Sequence, residues 1–579
     1  MTTRNLRRTR SFQLPRFGSE SLVRFSAIYA VIVFLLIFLV GPLVSLFIKA
    51  FQDDDGNFIG LAHFAEYFSS EALVYSIAHT LEIALWSTVI SVLSAFFYAY
   101  ALSRKRVPFK AFFRYVGMIP IFAPTMLLGI ALIYLFGNQG IFTNLGLEIP
   151  LYGKVGIILS ESIYCFPVAT TILMVAFSAA DNRLYEAADS MGTSALRKMF
   201  TITIPNVKYG LINAIFVAFT YSFTDYGAPS VVGGSYNVLA TDVYKQVVGQ
   251  QNFNMGAVVG IIMLLPAVLS FVVDRFTNSK QNAAISAKAV PYQIKPHRKS
   301  DIAATIFCSV IACAMLLFFA VALFASLIKF WPYNLTFTLE NYDLSSAGIG
   351  NGTMAFQNSV IVALVTATIG TVITFIGAYM IDKTPSAFRV SRKFAYLLSI
   401  LPLAIPGTVV GLSYIMFFNA PSFDIPFTNL ALINPLHGIY GTLWIIVFAN
   451  LIHYYSVPFA TATTALKRLD KEFETVSESL AVPFYRTFAR VTVPLCIPAI
   501  CEMWVYFFVN AMVTISAVVF LYSSATPIAS TMIVSMQGAG KTAPAAAMCM
   551  LLLFVNLIVR FIYEVANHFL DQRAKRLAR

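Results

Sequence analysis

Residues 25–48 read FSAIYAVIVFLLIFLVGPLVSLFI, a run without a single charged side chain. A helix rises about 1.5 Å per residue, so this run is long enough to cross a bilayer core of about 30 Å. The basic tail before it is typical of a secretion signal, but the apolar run is too long for the core of a signal peptide. We therefore expect a retained membrane-spanning helix here.

The rest of the chain repeats this pattern. Of its 579 residues, 58% are hydrophobic and only 12% are charged, which leaves too little polar surface for a soluble protein of this size. Apolar windows predict twelve spans, at residues 25–48, 80–102, 112–136, 155–179, 209–232, 254–274, 302–328, 358–381, 394–418, 438–465, 496–521 and 543–566. The expected fold class is an all-α polytopic membrane protein embedded in a lipid bilayer.

Lys and Arg are distributed unevenly between the connections. They collect in every second loop, as at residues 104–110, 183–198 and 467–490, and are almost absent from the others. Short cytoplasmic loops accumulate positive charge, so both termini and the basic loops are predicted to face the cytoplasm. The net charge of +13 thus follows membrane topology and indicates no nucleic-acid partner.

The second half of the chain repeats motifs of the first. IPIFAPTMLLG at residues 119–129 and LPLAIPGTVVG at residues 401–411 share two prolines and a glycine in register. The matched positions are Pro120 with Pro402, Pro124 with Pro406, Gly129 with Gly411, His79-Thr80 with Asn358-Ser359, Asp181 with Asp470, and Pro205 with Pro494. A parallel duplication of six spans predicts two similar bundles around a pseudo-twofold axis, with a route between them.

The expected domain boundaries follow from this repeat. Residues 278–301 are polar and lack hydrophobic periodicity, as a cytoplasmic linker between two units does. The expected division is a basic cytoplasmic tail at 1–24, a first six-helix domain at 25–277, the linker at 278–301, a second six-helix domain at 302–569 and a basic cytoplasmic tail at 570–579.

The connection between spans 4 and 5 reads DNRLYEAADSMGTSALRKMFTITIP over residues 181–205. Asp181 is a good N-cap for a first short helix, and Gly192 is a good left-handed stop at its end. Ser194 can cap a second short helix, and Pro205 suits the start of the next span. The pattern predicts two short helices lying across the cytoplasmic mouth of the bundle.

This loop resembles the signature loop of ABC importer permeases, which has Glu-Ala-Ala, then Gly, then Ile-x-Leu-Pro at fixed spacing. Glu186, Ala187, Ala188 and Gly192 match it, and Ile204 replaces the leucine. The resemblance implies the type I ABC importer transmembrane fold. It also implies that the loop seats in a cleft of a separate ATPase subunit, where small alanine side chains allow close approach, and transmits closure of the ATP-bound dimer to the spans.

The second copy, between spans 10 and 11, keeps the frame with weaker residues. Thr475 stands at the glutamate position and Ala481 at the glycine position, while Pro483 can begin a helix at its first turn. Whether Glu474 or Glu478 replaces the missing carboxylate stays open. We expect both loops to dock, through Asp181, Glu186, Ala187, Ala188, Gly192 and Pro205 in the first and Asp470, Glu474, Glu478, Ala481, Pro483 and Pro494 in the second.

A narrower resemblance concerns residues 223–229, 236–246 and 247–256. The first two stretches resemble the fused permeases of ferric-iron and 2-aminoethylphosphonate importers, and the third favours the phosphonate branch. The resemblance implies a bacterial inner-membrane permease with a periplasmic solute-binding protein and a homodimeric ATPase that carries ATP and Mg. It implies no cofactor in this chain. Two alternatives stay open: a ferric-iron importer, and an ion-coupled secondary transporter, which twelve spans also describe.

Ionisable side chains inside spans cost about 2.5–3.5 kcal/mol at the bilayer centre, so each needs a reason. The notable ones are Glu82, Glu161, Asp225, His453 and Glu502. The candidate translocation pathway comprises Asp225, Glu161, Pro120, Pro124, Pro402, Pro406 and Thr514, the last being the frame-matched partner of Asp225. The alternatives are buried hydrogen bonds between helices for the polar groups and simple kinks for the prolines.

Residues 535–542, SMQGAGKT, resemble a nucleotide-binding loop, but Ser535 stands where that loop needs glycine and the segment falls in a predicted outward connection. The six cysteines lie in or beside predicted spans without metal-ligand spacing. No catalytic constellation and no metal site is predicted, so the sequence points to a transport subunit that is not itself an enzyme.

Overall fold

The computed structural model describes residues 19–53, 55–284, 290, 292–345, 351–383, 389–424, 431–470, 472–480 and 482–577. Within these ranges ten helices are long and apolar enough to cross a membrane, and the number rises to twelve when each of two bent helix pairs counts as one span. These twelve segments overlap the twelve predicted windows. The prediction of an all-α polytopic fold is confirmed.

The helices and strands are numbered in chain order. The helices are α1 Ser19–Leu35, α2 Gly41–Ala50, α3 Ala62–Ser69, α4 Glu71–Arg104, α5 Lys110–Met118, α6 Thr125–Phe136, α7 Ile141–Asn144, α8 Lys154–Ser178, α9 Asn182–Ser190, α10 Ala195–Lys198, α11 Ile204–Thr224, α12 Gly227–Val232, α13 Leu239–Tyr244, α14 Phe253–Ala284, α15 Arg298–Leu327, α16 Gly352–Lys383, α17 Arg389–Ile400, α18 Gly407–Phe418, α19 Leu443–His453, α20 Ser456–Arg468, α21 Glu472–Ser479, α22 Phe484–Thr487, α23 Val493–Val513, α24 Ala529–Gly538 and α25 Thr542–Leu577. Two short antiparallel hairpins pair β1 Ile328–Phe330 with β2 Asn334–Phe337, and β3 Ser422–Asp424 with β4 Ala431–Ile433.

The internal repeat is visible in the backbone. A 3₁₀ turn at Ile119–Phe122 precedes α6, and one at Leu401–Ala404 precedes α18, with a buried proline in each turn and another just before each helix. Proline removes a helical hydrogen bond and fixes φ, so both spans break at the same place. In the second half the break bends the span by 112°.

The matched pairs His79-Thr80 in α4 and Asn358-Ser359 in α16 make equivalent hydrogen bonds. Thr80 Oγ1 accepts from the Leu239 backbone N–H at 2.9 Å, and Ser359 Oγ accepts from the Ala529 N–H at 2.8 Å. The neighbouring Asn358 amide donates to the Pro527 carbonyl at 2.9 Å. These polar groups fasten the short helices α13 and α24 to the spans behind them.

The two halves interlock. Helices α1 and α2 of the first half pack against α16, α17 and α18 of the second, while α15 of the second half packs against α4, α5 and α6 of the first. One continuous apolar core contains buried residues from Ile28 to Leu553. The first span of each half therefore buries its surface against the opposite half.

Three predicted bounds are wrong. The fifth and eleventh spans were expected to run to residues 232 and 521, but α11 ends at Thr224 and α23 at Val513, because Asp225 and Thr514 adopt extended backbone with ψ of 137° and 139°. The linker was expected to be irregular from residue 278, but α14 continues to Ala284. Residues 278–284 contain neither proline nor glycine, so nothing in them stops the helix.

Candidate functional site: two coupling loops and a central polar cluster

Coupling loop 1, residues 181–205, has the local structure predicted for it. Asp181 Oδ1 accepts from the Arg183 N–H at 3.1 Å and caps α9, and Ser194 caps α10. Gly192 has a φ of +65°, which a residue with a side chain adopts only at a cost. Pro205 follows the first residue of α11. The two short helices therefore form an elbow with a fixed bend.

The signature residues of this loop face different ways. Glu186 and Ala187 are exposed, and Glu186 accepts a hydrogen bond from the Asn182 amide at 2.7 Å. Ala188 is buried and packs inward, so only Ala187 of the two alanines is available to a partner. The helical period turns Ala188 toward the bundle, and docking through the two alanines stays a prediction.

Coupling loop 2, residues 470–494, reproduces the elbow with other residues. Asp470 Oδ1 accepts from the Glu472 N–H at 3.1 Å. The Leu480 and Val482 N–H groups bond to the Val476 and Ser477 carbonyls, as Met191 and Thr193 bond to Ala187 and Ala188 in loop 1. The hydrogen bonds that flank the bend therefore follow the same pattern in both loops, and Ala481 itself lies outside the described residues.

Two further residues of loop 2 have assigned positions. Pro483 is the N-cap of α22, the place of Ser194 in loop 1, and not a residue of its first turn as predicted. Glu474 forms an ion pair of 3.1 Å with Lys383 at the end of α16, so its carboxylate is directed back to the bundle. The side chain of Glu478 lies outside the described part of the chain. Pro494 stands in the first turn of α23, as Pro205 does in α11.

Each elbow exposes large apolar side chains at matched positions. These pairs are Leu184 with Phe473, Met191 with Leu480, and Leu196 with Tyr485, all between 46% and 76% exposed. Large apolar side chains grouped on a polar loop are typical of a surface that meets another protein. The sequence reasoning missed them, although their register in the two copies is a readable signal.

The linker between the halves lies against coupling loop 1. The Asn182 N–H donates to the Val290 carbonyl at 3.0 Å, and the Gln293 N–H donates to Asn182 Oδ1 at 3.2 Å. Tyr292 packs edge-on against Tyr185, with ring centroids 5.0 Å apart, and beneath the guanidinium of Arg104 at 4.0 Å. The linker thus fixes the position of α9.

One ion pair joins the linker to α9 directly. Asp189 accepts from Lys198 at 2.6 Å and from Lys295 of the linker at 2.7 Å. These two ammonium groups hold the pKa of Asp189 below its ordinary value, and the carboxylate in turn raises the pKa of Lys295. Burial raises the pKa of the neighbouring Tyr292. Both charged groups are therefore ionised at neutral pH.

A second polar region lies in the interior, where α11 breaks. The Thr125 hydroxyl donates to Asp225 Oδ1 at 3.3 Å, and the Ala228 N–H donates to Oδ2 at 2.9 Å. A Cβ on Gly227 would stand 2.1 Å from Thr125 Oγ1, so this close approach needs glycine. The Glu161 carboxyl on α8 faces Asp225 and is fully buried.

Four tyrosines lie near this carboxyl pair. Tyr164 and Tyr454 lie beside Asp225, and Tyr221 and Tyr506 lie beside Tyr454. Tyr164 and Tyr221 of the first half stack with ring centroids 6.0 Å apart, and Tyr454 and Tyr506 of the second half meet edge to face at 6.2 Å. Tyr454 lies close to Tyr164, Tyr221 and Asp225 across the interface between the halves. We call these six residues, Glu161, Tyr164, Tyr221, Asp225, Tyr454 and Tyr506, the central cluster.

Sequence reasoning found both carboxylates of the central cluster and missed its tyrosines. Tyr164 follows Glu161 by three residues and Tyr221 precedes Asp225 by four, spacings that place each pair on one helix face. That signal was available. The approach of Tyr454 and Tyr506 from the other half had no sequence signal.

The same place in the second half is less acidic. In the frame that pairs Asp225 with Thr514, Asn450 takes the position of Glu161 and His453 that of Tyr164. Thr514 faces Tyr454. Both side-chain atoms of Asn450 are buried without a hydrogen-bond partner among the described residues. Among the described residues of this region, the carboxyl groups therefore come from the first half.

The remaining candidates lie elsewhere. Glu82 pairs with Lys154 and accepts from the Tyr236 hydroxyl at 3.1 Å, so its role is structural. Glu502 is exposed on α23 and lies near Tyr563 of α25. The four prolines Pro120, Pro124, Pro402 and Pro406 are buried at the breaks before α6 and α18, and through the first break they set Thr125 beside Asp225.

Two interlocked six-span halves with a matched helical elbow in each define a membrane permease built by duplication. Residues 87–281 match the family model of the binding-protein-dependent transport system inner membrane component. A ferric transport system permease protein of Actinobacillus pleuropneumoniae is 25% identical over 93% of this chain and 77% of its own length. A putative ferric transport system permease protein of Haemophilus influenzae is 25% identical over 86% of this chain and 78% of its own.

Shorter likenesses exist as well. The molybdenum transport system permease protein of Haemophilus influenzae is 29% identical over 26% of this chain and 67% of its own length. A solved bacterial ABC transporter involved in the import of alginate superposes with a TM-score of 0.37 at 18% identity, over 45% of this chain and 96% of its own. The family model and the long ferric relatives support a fused permease of a binding-protein-dependent ABC importer.

Proposed function

We propose that this permease imports ferric iron across the bacterial inner membrane. In this proposal a periplasmic binding protein delivers the ion and a separate ATPase dimer, which carries ATP and Mg, grips the two coupling loops. The basic loops and both termini face the cytoplasm, as the charge pattern predicts. The alignment with ferric permeases over most of the chain carries the choice of substrate.

The geometry of the coupling loops supports the docking part of this proposal. Both elbows keep the same pattern of hydrogen bonds around the bend and expose the same three apolar positions, although their sequences differ at the glutamate and glycine positions. If each coupling loop binds one of two identical ATPase subunits, both loops need the same binding surface. This explains why the three exposed apolar positions match. Loop 1 keeps the signature residues and is the stronger of the two.

The charge of the central cluster supports a cationic substrate. Glu161 and Asp225 are the two carboxyl groups of the central cluster, and the ionisable groups recorded beside them within the described structure are phenols and a thiol, none of them basic. Carboxylates repel a phosphonate at close range and attract a metal cation. The 2-aminoethylphosphonate assignment favoured by the sequence is not supported by the relatives named above, whereas the ferric alternative is.

Reconstituted transport tests the proposal. Proteoliposomes with the permease, its ATPase and its binding protein are expected to accumulate radiolabelled ferric iron only when ATP is supplied to the ATPase, and a Walker-motif mutant of the ATPase serves as control. Uptake driven by an ion gradient without the ATPase would contradict the ABC mechanism. ATP-dependent uptake of 2-aminoethylphosphonate with no uptake of iron would contradict the substrate.

A further inference from the structure

The central cluster brings oxygen donors of both halves to one place. Two carboxylates and two phenols come from the first half, and two phenols come from the second. Tyr221 is 37% exposed and faces Tyr454 across the interface between the halves. The other three tyrosines are half-buried.

The carboxyl group of Glu161 faces Asp225, which is itself a carboxyl group. Glu161 is fully buried, and neither of its carboxyl oxygens makes a well-formed hydrogen bond within the described residues. Buried carboxyl groups without partners are costly and rare. Asp225 accepts one hydrogen bond on each oxygen, and a carboxylate oxygen has about two acceptor sites, so each retains one.

The backbone adds to the negative potential. Asp225 is the C-cap residue of α11 and Tyr454 is the C-cap residue of α19, so the carbonyl ends of two helices lie at the cluster. A helix C-terminus carries a partial negative charge, and broken helices inside membranes hold cations through such ends. The N-terminus of α6, whose Thr125 bonds to Asp225, keeps that carboxylate in place.

We propose that the central cluster is a transient binding site for a hard trivalent metal cation on its way between the halves, an inference that rests on the proposed function. Glu161 and Asp225 supply carboxylate ligands, and Tyr164, Tyr221 and Tyr454 supply phenolate ligands. Hard cations prefer oxygen donors. Each phenol that binds the ion releases its proton to water. The phenolate that results partly neutralises the trivalent charge of the ion.

The composition of the site suits transient binding of the cation during transport, not its permanent retention. Among the described residues, no three His, Cys, Asp or Glu side chains lie together as a metal-binding group. In the proposed site the full donor set exists only while Tyr454 of the second half lies beside the carboxyl groups of the first. Separation of the halves removes Tyr454 from the ion, and the weakened site releases it.

Binding to the full-length permease in nanodiscs tests this site separately from transport. Ferric nitrilotriacetate is titrated into the protein, and the visible absorption of phenolate-to-iron charge transfer is recorded together with bound iron. Tyr164→Phe, Tyr221→Phe and Glu161→Gln are each expected to weaken binding at least about tenfold. Tyr115→Phe, at an exposed tyrosine of α5, is the matched control and leaves binding unchanged.

The outcomes separate the two proposals. Loss of the absorption band in the Tyr164 and Tyr221 variants, with the band intact in the control and with unchanged thermal melting, supports the site. No iron binding by a wild-type permease that still transports iron overturns the site and leaves the function standing. Equal binding by all variants means adventitious iron and overturns the site. Absence of iron transport by the reconstituted wild type overturns the function.

Discussion

At the scale of single residues, two glycines perform different tasks. Gly192 supplies a left-handed backbone at the bend of coupling loop 1, and a Cβ atom added there would have nothing within 4 Å, so its cost on substitution is conformational. Gly227 has an ordinary backbone but lies against Thr125, so its cost on substitution is steric. Each glycine predicts a different mutant phenotype.

Gly192→Val is expected to reduce ATP-coupled transport while the bundle stays folded. A side chain at φ of +65° costs about 1–2 kcal/mol, which the exposed loop relieves by changing its bend. Transport by the reconstituted complex and thermal melting of the permease are the two measurements. Gly438→Val, at an exposed glycine without positive φ and with nothing nearby, is the control. Normal transport by the Gly192→Val variant would refute the role of the bend. The double variant with Gly192→Val and Glu186→Ala is expected to lose transport completely.

Gly227→Ala is expected to lower the stability of the permease by about 1–3 kcal/mol, because the added methyl group collides with the Thr125 hydroxyl. The melting temperature in detergent reports the change. Gly249→Ala meets nothing within 4 Å and serves as the control. If Gly227→Ala melts at the same temperature as Gly249→Ala, α6 and α12 do not pack as closely as described.

At the scale of elements, the linker acts as part of coupling loop 1. Backbone bonds from residues 290 and 293, the ring of Tyr292 and the charge of Lys295 all meet α9 or its cap. Loop 2 has a different support: Lys383 holds Glu474, and Arg24 at the start of the first span lies over Phe484 at 4.9 Å. In both cases the chain that enters the first span of one half touches the elbow of the other.

Lys295→Ala is expected to loosen the linker without unfolding the protein, since exposed ion pairs contribute about 0–1 kcal/mol. Hydrogen exchange of residues 290–297 is expected to become faster. Lys329→Ala removes an ion pair with Glu340 far from α9 and is the control. Unchanged exchange in the Lys295 variant would show that backbone bonds alone hold the linker.

The same ion pair has a defined pH dependence. The pKa of Asp189 is lowered in the folded protein from an ordinary value of 3.8, so its contribution is complete above that value. Protonation at lower pH removes it as the pH falls through the folded-state pKa. Linker exchange, corrected for intrinsic rates, is therefore expected to be constant at neutral pH and to rise only in acid. A rise near pH 7 would implicate another group.

At the scale of the whole molecule, the exchange of first spans makes each half depend on the other. Helix α15 packs against α4, α5 and α6, and α1 and α2 pack against α16, α17 and α18. Neither half buries its own first span completely. When the two halves move relative to each other, α1, α2 and α15 must therefore move as well. This shared motion connects the coupling loops to the central cluster.

Two separately expressed halves, 1–284 and 290–579, are expected to assemble into one complex. The first span of each half packs partly against the other half, so either half alone loses the van der Waals packing and hydrogen bonds of those helix contacts. Co-purification through a tag on one half is the measurement. A first half that purifies alone as a stable, monodisperse species would contradict the interlocked arrangement.

The central cluster could be predicted only in part. Asp225 and Glu161 were identifiable because charged groups inside spans are costly and therefore few. Tyr454 and Tyr506 carry no such mark, since tyrosine is common in this chain and neither lies in a distinctive motif. Their place opposite Tyr164 and Tyr221 depends on how two halves pack.

The sequence by itself determined the twelve spans, the duplication, the proline breaks and the elbow of loop 1, because these follow from hydrophobic length, repeated residues and local backbone preferences. Asp181 and Gly192 act within a few residues of themselves. Only the tertiary structure decided the crossing of the first spans, the inward turn of Ala188, the attachment of the linker to α9 and the meeting of four tyrosines near two carboxyl groups. These contacts join residues far apart in the chain, and packing energy between helices leaves no periodic signal from which their partners can be read.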